Sequence, residues 1–299
     1  AIRLLTFLWR ALILLLVFRH NKVVRMARGH KLHLYLPAYP SPAFFWAIDS
    51  KLVHRPARPT TVVFSITKAC RYHCPHCYQQ RDRGSDLDEQ LMVQTATQIV
   101  DAGVALFDIE GGEPLCRPTR LHHLVQALDP RCEIWVNTTG DGLEKPELRH
   151  LAAAGMDGIM VSIHSPEAGV HDAFTGVQGS FELACETLRL ARRHGLGTVI
   201  NCVLSEPEIE ADGVHDLMDL ARELDVGFVQ LIHPKPAGRW LDREEQMQRR
   251  PAVLERVRQL HLHYNSRKHP GYPSLAAQAF EESAEVLGCT AGAVDRFYV

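Results

Sequence analysis

Three of the eight cysteines fall within eight residues, Cys70-Arg71-Tyr72-His73-Cys74-Pro75-His76-Cys77, spaced C-x3-C-x2-C. Three thiolates on so short a loop can hold three corners of an iron–sulfur cluster and leave the fourth iron open to a small molecule. The rival chemistry is a Cys3His zinc ion, with His73 or His76 as the fourth donor. Structural zinc sites more often draw on paired C-x2-C units, one of them from elsewhere in the chain. Arg71, His73, Pro75 and His76 mark a polar loop, so three unligated core cysteines describe the stretch poorly. A second unusual run, Gly111-Gly112-Glu113-Pro114, lies further along. Its two glycines let backbone approach a ligand without Cβ clashes. Glu113 adds a carboxylate able to accept from an ammonium group.

Both runs follow predicted strands. From residue 60 onward, short β-branched runs alternate with amphipathic helices. Strands are predicted at Thr61–Ile66, Leu106–Glu110, Glu133–Asn137, Gly158–His164, Thr198–Leu204 and Phe228–Ile232. Between them, Asp86 and Glu89 read as a capping box for a helix ending at Ala102. Pro118 opens a helix to Leu128, another covers Pro146–Ala154, Ser180 caps one ending at Gly195, and a last one spans Val214–Leu224. Six strands alternating with helices imply a parallel α/β sheet, an open partial (β/α)6 TIM-like barrel. In such folds the loops after the strand C-termini carry the chemistry. Asn137 and Ser162 also stand at strand ends on that rim.

The cysteine loop after the first strand and Gly111–Pro114 after the second together resemble the radical S-adenosylmethionine superfamily, over residues 60 to 235. The resemblance implies a [4Fe–4S] cluster on Cys70, Cys74 and Cys77, with the amine and carboxylate of S-adenosylmethionine on the open iron. An electron from the cluster then cleaves the sulfonium bond, and a 5′-deoxyadenosyl radical takes hydrogen from substrate. It further implies cofactor contacts from Gly111, Gly112, Glu113 and Pro114. His76 stands where the family usually has an aromatic residue near the adenine. Ser162 and Asn201 resemble positions that contact the cofactor's carboxylate and ribose, the backbone at Ile232 borders the adenine, and Asn137 faces cofactor or substrate. His164 stands where many relatives have an acidic residue. In His171-Asp172-Ala173-Phe174-Thr175-Gly176, Thr175 replaces a frequent arginine. Cys289 resembles the start of the cysteine-bearing (SPASM/twitch-type) C-terminal extension of one subgroup. It is the only cysteine after residue 202, so an auxiliary cluster is expected only in a longer form. Cys116, Cys132, Cys185 and Cys202 read as ordinary buried cysteines.

The expected function is reductive cleavage of S-adenosylmethionine and hydrogen abstraction from a peptide or lipid-like substrate, with a flavodoxin or ferredoxin as electron donor. The other class of reading is a non-catalytic, zinc-stabilised barrel acting as a binding module. The sequence names no catalytic acid or base of the protein itself.

The flanks read separately. Residues 1–59 form an apolar and basic N-terminal segment and connector, 60–235 the barrel, and 236–299 a helical C-terminal extension. Ile2 to Phe18 is a nearly apolar span at the lower limit for crossing a bilayer. Arg19, Lys22, Arg25, Arg28 and Lys31 follow, a flank suited to anionic headgroups. A membrane-surface anchor and a packed helix are both consistent with it. Leu36–Ala43, with three prolines, reads as an extended connector. The chain opens on Ala1, as a piece of a longer product does. Apolar residues make up 46% of the chain and charged residues 23%, which fits a folded domain. With 33 basic and 35 acidic residues the net charge is −2, so no field gathers nucleic acid. Eight cysteines in 299 residues are too few for a disulfide scaffold, and the expected location is cytoplasmic, peripheral to a membrane.

Overall fold

The computed structural model describes residues 2–53, 58–79, 84–234, 236–242, 250–283 and 296–299. A small antiparallel hairpin, β1 (Val24–Arg25) and β2 (His30–Lys31), comes first. Eight strands then form one sheet: β3 (Thr61–Ser65), β4 (Leu106–Glu110), β5 (Glu133–Thr138), β6 (Gly158–Ser162), β7 (Gly197–Cys202), β8 (Phe228–Leu231), β9 (Ser274–Ala277) and β10 (Arg296–Tyr298). Their spatial order is β10-β3-β4-β5-β6-β7-β8-β9, and every pair is parallel. Among the described residues the ladder does not close, and the sheet is a half-barrel. All six expected strands are present, with ends within two residues. The two edge strands were not expected. They come from 236–299, which the sequence had suggested was helical.

The helices are α1 (Ile2–Val17), α2 (Pro42–Ile48), α3 (Glu89–Asp101), α4 (Pro118–Ala127), α5 (Lys145–Ala154), α6 (Ala168–Thr175), α7 (Ser180–Arg193), α8 (Glu206–Glu210), α9 (Gly213–Glu223), α10 (Pro251–Tyr264) and α11 (Gln278–Glu281). The proline-rich connector ends early, because Ser41 Oγ accepts from Phe44 N and Pro42 opens α2. Asp88 caps α3, accepting from the backbone of Gln90 and Leu91, so the expected capping box on Asp86 does not form. Ser180 is the first residue of α7 and not its cap. The carboxylate of Asp172 takes that role, accepting from Gly179 N and Phe181 N.

Period-two alternation sets the layers. Phe107, Ile109, Ile134 and Val136 face the helices, in a core shared with Met92, Ala96 and Val100 of α3. Leu106, Trp135, Met160, Val199 and Phe228 face inward and form a floor with Met26 and Leu34 from the N-terminal segment. Under the floor Lys31, fully buried, pairs with Glu133. Glu133 also accepts from Trp135 Nε1 (2.5 Å) and Ala38 N (2.5 Å). Lys22 Nζ donates to the carbonyls of Tyr264, His269 and Tyr272. Two of the five residues expected to meet headgroups are therefore committed inside the fold.

Candidate functional site

The cysteine loop leaves the C-terminal end of β3 and is fastened on every side. At its start, Asp86 accepts from Thr67 Oγ1 (2.7 Å) and Lys68 N (2.8 Å), while Arg120 Nε donates to Ile66 O (2.7 Å). In its middle, Arg71 makes a two-pronged pair with Asp141 (2.7 and 2.6 Å), tying the loop to the one after β5. His73 N donates to Thr175 O at the end of α6, and Arg239 Nη1 donates back to His73 O. Sequence reasoning took Asp86 for a helix cap and missed Asp141 and Arg239, since an isolated charge in a loop carries no period or spacing to single it out.

The Gly111–Pro114 run packs directly on this loop. Gly112 N donates to Thr67 O (2.6 Å) and Glu113 N to Ala69 O (2.7 Å). A Cβ on Gly111 would stand 2.5 Å from Thr67 O, and one on Gly112 would stand 2.5 Å from Ala69 O. The glycines thus serve an approach of backbone to backbone, and the sequence-based idea of an approach to ligand needs this amendment.

Glu113 is completely buried. One carboxylate oxygen accepts from Leu115 N (3.0 Å) and Thr138 Oγ1 (2.5 Å), the other from Thr139 N and Oγ1 (both 2.6 Å). Those four donors match the roughly four lone-pair sites of a carboxylate. Burial raises its pKa, against the pull of the two threonine hydroxyls and the backbone donors. Glu113 is a clamp between the loops after β4 and β5. Pro114 begins the short 3-10 turn beside it.

Cys74 is buried, Cys70 and Cys77 partly so, and none of the seven described cysteines is in a disulfide. Burial pushes the Cys70 thiol up to about 11 and the Cys74 thiol up to about 12. The charges of Cys77 and Cys70 add to the rise at Cys74. Metal binding to such thiols must displace protons. Among the described residues no three or more His, Cys, Asp or Glu side chains are arranged as the ligands of one metal ion. A [4Fe–4S] cluster places each thiolate on a different iron, and three soft donors on one loop beside a tight backbone seam fit that demand.

Behind the cysteines, His76 stacks on Phe174 (5.2 Å between ring centres) and meets His164 edge-on (4.7 Å). Burial lowers the pKa of His76 to about 4, so the ring is neutral and presents a flat face. His164 Nδ1 accepts from Val203 N, and His171 Nδ1 accepts from His164 N. Thr175 is buried and bonded to Ser180 Oγ (2.7 Å).

Ser162 ends β6, and its Cα partner Asn201 stands one residue before the end of β7. Asn201 Nδ2 donates to Asn137 Oδ1 (2.8 Å), and Asn137 Nδ2 donates to Asp108 Oδ1 (2.8 Å), a polar ladder along the barrel's inner face. Asn201 Oδ1 is buried without a partner among the described residues. The N–H of Ile232 is taken by Cys202 O (2.8 Å). Cysteine loop, clamp and ladder therefore converge on one rim. Cys289 lies outside the described residues. Two surface clefts, of about 570 and 370 Å³, lie between α4 and α5 and beside the floor, away from that rim.

Curated relatives with whole or partial likeness include an AdoMet-dependent heme synthase of Methanosarcina barkeri, 27% identical over 70% of this chain and 59% of that protein. The PqqA peptide cyclase of Gluconobacter oxydans is 27% identical over 64% of this chain and 53% of its own length. The chain thus spans little more than half of these relatives. Among solved structures, Streptococcus suis SuiB bound to its precursor peptide SuiA superposes with a TM-score of 0.60 at 17% identity, over 74% of this chain and 49% of that one. Methylornithine synthase (PylB) superposes with a TM-score of 0.57 at 15% identity, over 78% and 71%. Both likenesses concern the fold. The family model described as the Radical SAM superfamily matches residues 64–221, from the end of β3 into α9 and so more than half of the molecule. The chain belongs to the radical SAM superfamily.

Proposed function

We propose that the protein is a radical S-adenosylmethionine enzyme acting on a peptide, with Cys70, Cys74 and Cys77 holding a [4Fe–4S] cluster. The observation that carries the reading is the seam between Gly111–Glu113 and Thr67–Ala69, which locks the three-cysteine loop against the second strand's exit. When bound, the cluster supplies the electron that cleaves the sulfonium bond of S-adenosylmethionine and frees a 5′-deoxyadenosyl radical. The chain's own residues do the holding. Glu113 fixes the rim through Thr138 and Thr139, its carboxylate already filled by protein donors. Asn201 Oδ1 offers an unengaged acceptor to the ribose, with Ser162 beside it. His76 offers its neutral face to the adenine, and Arg239 holds the cysteine loop through His73 O and Cys77 O.

The peptide reading draws on the names of the relatives, a peptide cyclase and a precursor-peptide complex. A flavodoxin- or ferredoxin-type donor and a cytoplasmic location follow from the need for low-potential electrons and reduced thiols. Metal analysis of anaerobically reconstituted protein tests the core of this. About four irons with sulfide per chain, abolished when all three cysteines become alanine, is the expected result. Stoichiometric zinc without sulfide would replace the enzyme by a zinc-stabilised binding module.

A further inference from the structure

Helix α1 is amphipathic in the reverse sense. A surface helix ordinarily turns its apolar stripe to its own domain. Here the stripe nearest the domain is Thr6, Arg10, Leu14 and Val17, while Leu5 (66% exposed), Leu8, Trp9 (63%), Leu12, Leu15 (66%) and Leu16 face outward. Arg10 Nη1 donates to the carbonyls of Lys51 and Leu52 (3.3 and 3.2 Å), which end the π-helical turn Asp49–Val53. The one charge in the middle of the apolar run is thus drawn inward. The exposed aromatic rings of Tyr39 and Phe45 pack on each other nearby in sequence. An exposed apolar face of the kind α1 presents marks an interaction site.

Up to Asp49, in the turn that holds Arg10, the charges of the N-terminal segment are of one sign. Residues 1–48 hold seven Lys or Arg and no Asp or Glu. Lys22 and Lys31 are engaged inside and Arg28 pairs with Asp157, but Arg19 and Arg25 stay exposed. Apolar side chains bordered by cations complement an anionic lipid surface. No described helix is long and apolar enough to cross a membrane.

Its position adds a direction. Phe18, just past α1, packs with Leu36, Ala47 and Ala105, and Ala105 immediately precedes β4. The cysteine loop lies at the opposite ends of the strands, about 15 Å away along a five-residue strand.

We propose that α1 lies in the headgroup region of an anionic bilayer and holds the barrel with its cysteine-bearing rim turned to water. The lipid contact stands on α1 alone; the direction rests on the rim being the reactive end, and implies that substrate arrives from the aqueous side.

The test is flotation of the full 299-residue chain with phosphatidylcholine vesicles, with and without phosphatidylglycerol. Flotation with the anionic vesicles is expected, reduced at least tenfold by Leu5→Gln/Trp9→Gln/Leu15→Gln and by high salt. Thermal melts of that variant should match wild type, since all three side chains are exposed. The cysteine-to-alanine triple variant should float like wild type, so failure of the cluster reading would leave this result standing. Hydrogen exchange on vesicles should protect residues 4–17 and leave 66–78 unchanged. Wild type that stays unbound, a glutamine variant that floats undiminished, or a dimer through α1 in place of lipid binding would overturn the proposal. Protection of 66–78 would overturn the direction.

Discussion

The two ends of the half-barrel are built from opposite materials. At the floor, inward residues are apolar, Trp135 lies over Gly158 and Gly197, and the polar pair Lys31–Glu133 has its partners within the fold. At the rim, inward residues turn polar: Asp108, Glu110, Asn137, Ser162, Asn201 and Gln230. There Asn201 Oδ1 is left unengaged, and backbone seams hold loops in place of side-chain packing. The same strands supply both ends, so the difference is one of position along the strand. The floor fixes the barrel and the rim holds groups ready for a ligand, the division expected of barrels whose loops carry chemistry.

Lys31→Ala should produce the largest change in stability. It leaves Glu133 buried with two neutral donors and no counter-charge, so a loss of about 3–5 kcal/mol is expected by denaturant unfolding. A loss under about 1 kcal/mol would mean the floor pair behaves like a surface pair, and the contrast would fail.

Gly112→Ala comes next. Its Cβ would press on the carbonyls of Ala69 and Lys68, 2.5 and 2.7 Å away, at a cost of about 1–3 kcal/mol. Cluster uptake should fall along with stability, because the strain lands on the cysteine loop. Intact uptake with weakened cofactor binding would return the glycine to a ligand-facing role.

A smaller effect concerns pH. Burial pushes the Asp108 carboxyl from the ordinary 3.8 up to about 7, against the pull of Asn137 and of the Arg296 and Lys31 charges. Between those values the folded protein binds the extra proton, so this group's contribution to stability falls as pH rises from about 4 to 7. Asp108→Asn keeps an acceptor for Asn137 and should flatten that part of the curve in thermal melts at pH 5 and 7.5. Glu110, raised to about 8 by burial, acts with the same sign, so some slope should remain. An unchanged slope would place Asp108 in a wetter setting than the ladder implies.

Asn201→Ala should be the mildest for stability, within about 1 kcal/mol, because it removes one hydrogen bond and an acceptor that had no partner. The affinity for S-adenosylmethionine should nonetheless fall several-fold by equilibrium binding. A stability loss without any change in affinity would make the rim ladder structural, like the floor.

The central strands were legible because burial on both faces makes them near-continuous apolar runs bounded by turn residues. β9, Ser-Leu-Ala-Ala, and β10, Arg-Phe-Tyr, are too short and too mixed for any period to register. Their strand character comes from pairing with β8 and β3. The cysteine and glycine motifs were legible because their spacing is itself the signal. The partners that lock them were not: Asp86 was read as a helix cap, yet it serves Thr67 and Lys68 across 19 and 18 residues of chain. Glu113 was legible as a conspicuous carboxylate, but its engagement by Thr138 and Thr139 depends on two loops meeting in space. Lys31 looked like a lipid-facing cation, and only the position of Glu133 beneath Trp135 shows where it goes.

In the proposed function, Cys70, Cys74 and Cys77 make the rim a site for reductive cleavage of S-adenosylmethionine. Its most direct test is the yield of 5′-deoxyadenosine from the reconstituted, dithionite-reduced 299-residue protein, beside the variant with all three cysteines changed to alanine. 5′-Deoxyadenosine is expected from the first and none above background from the second. Equal yields from both, or none from a wild-type protein carrying its full iron and sulfide, would contradict it.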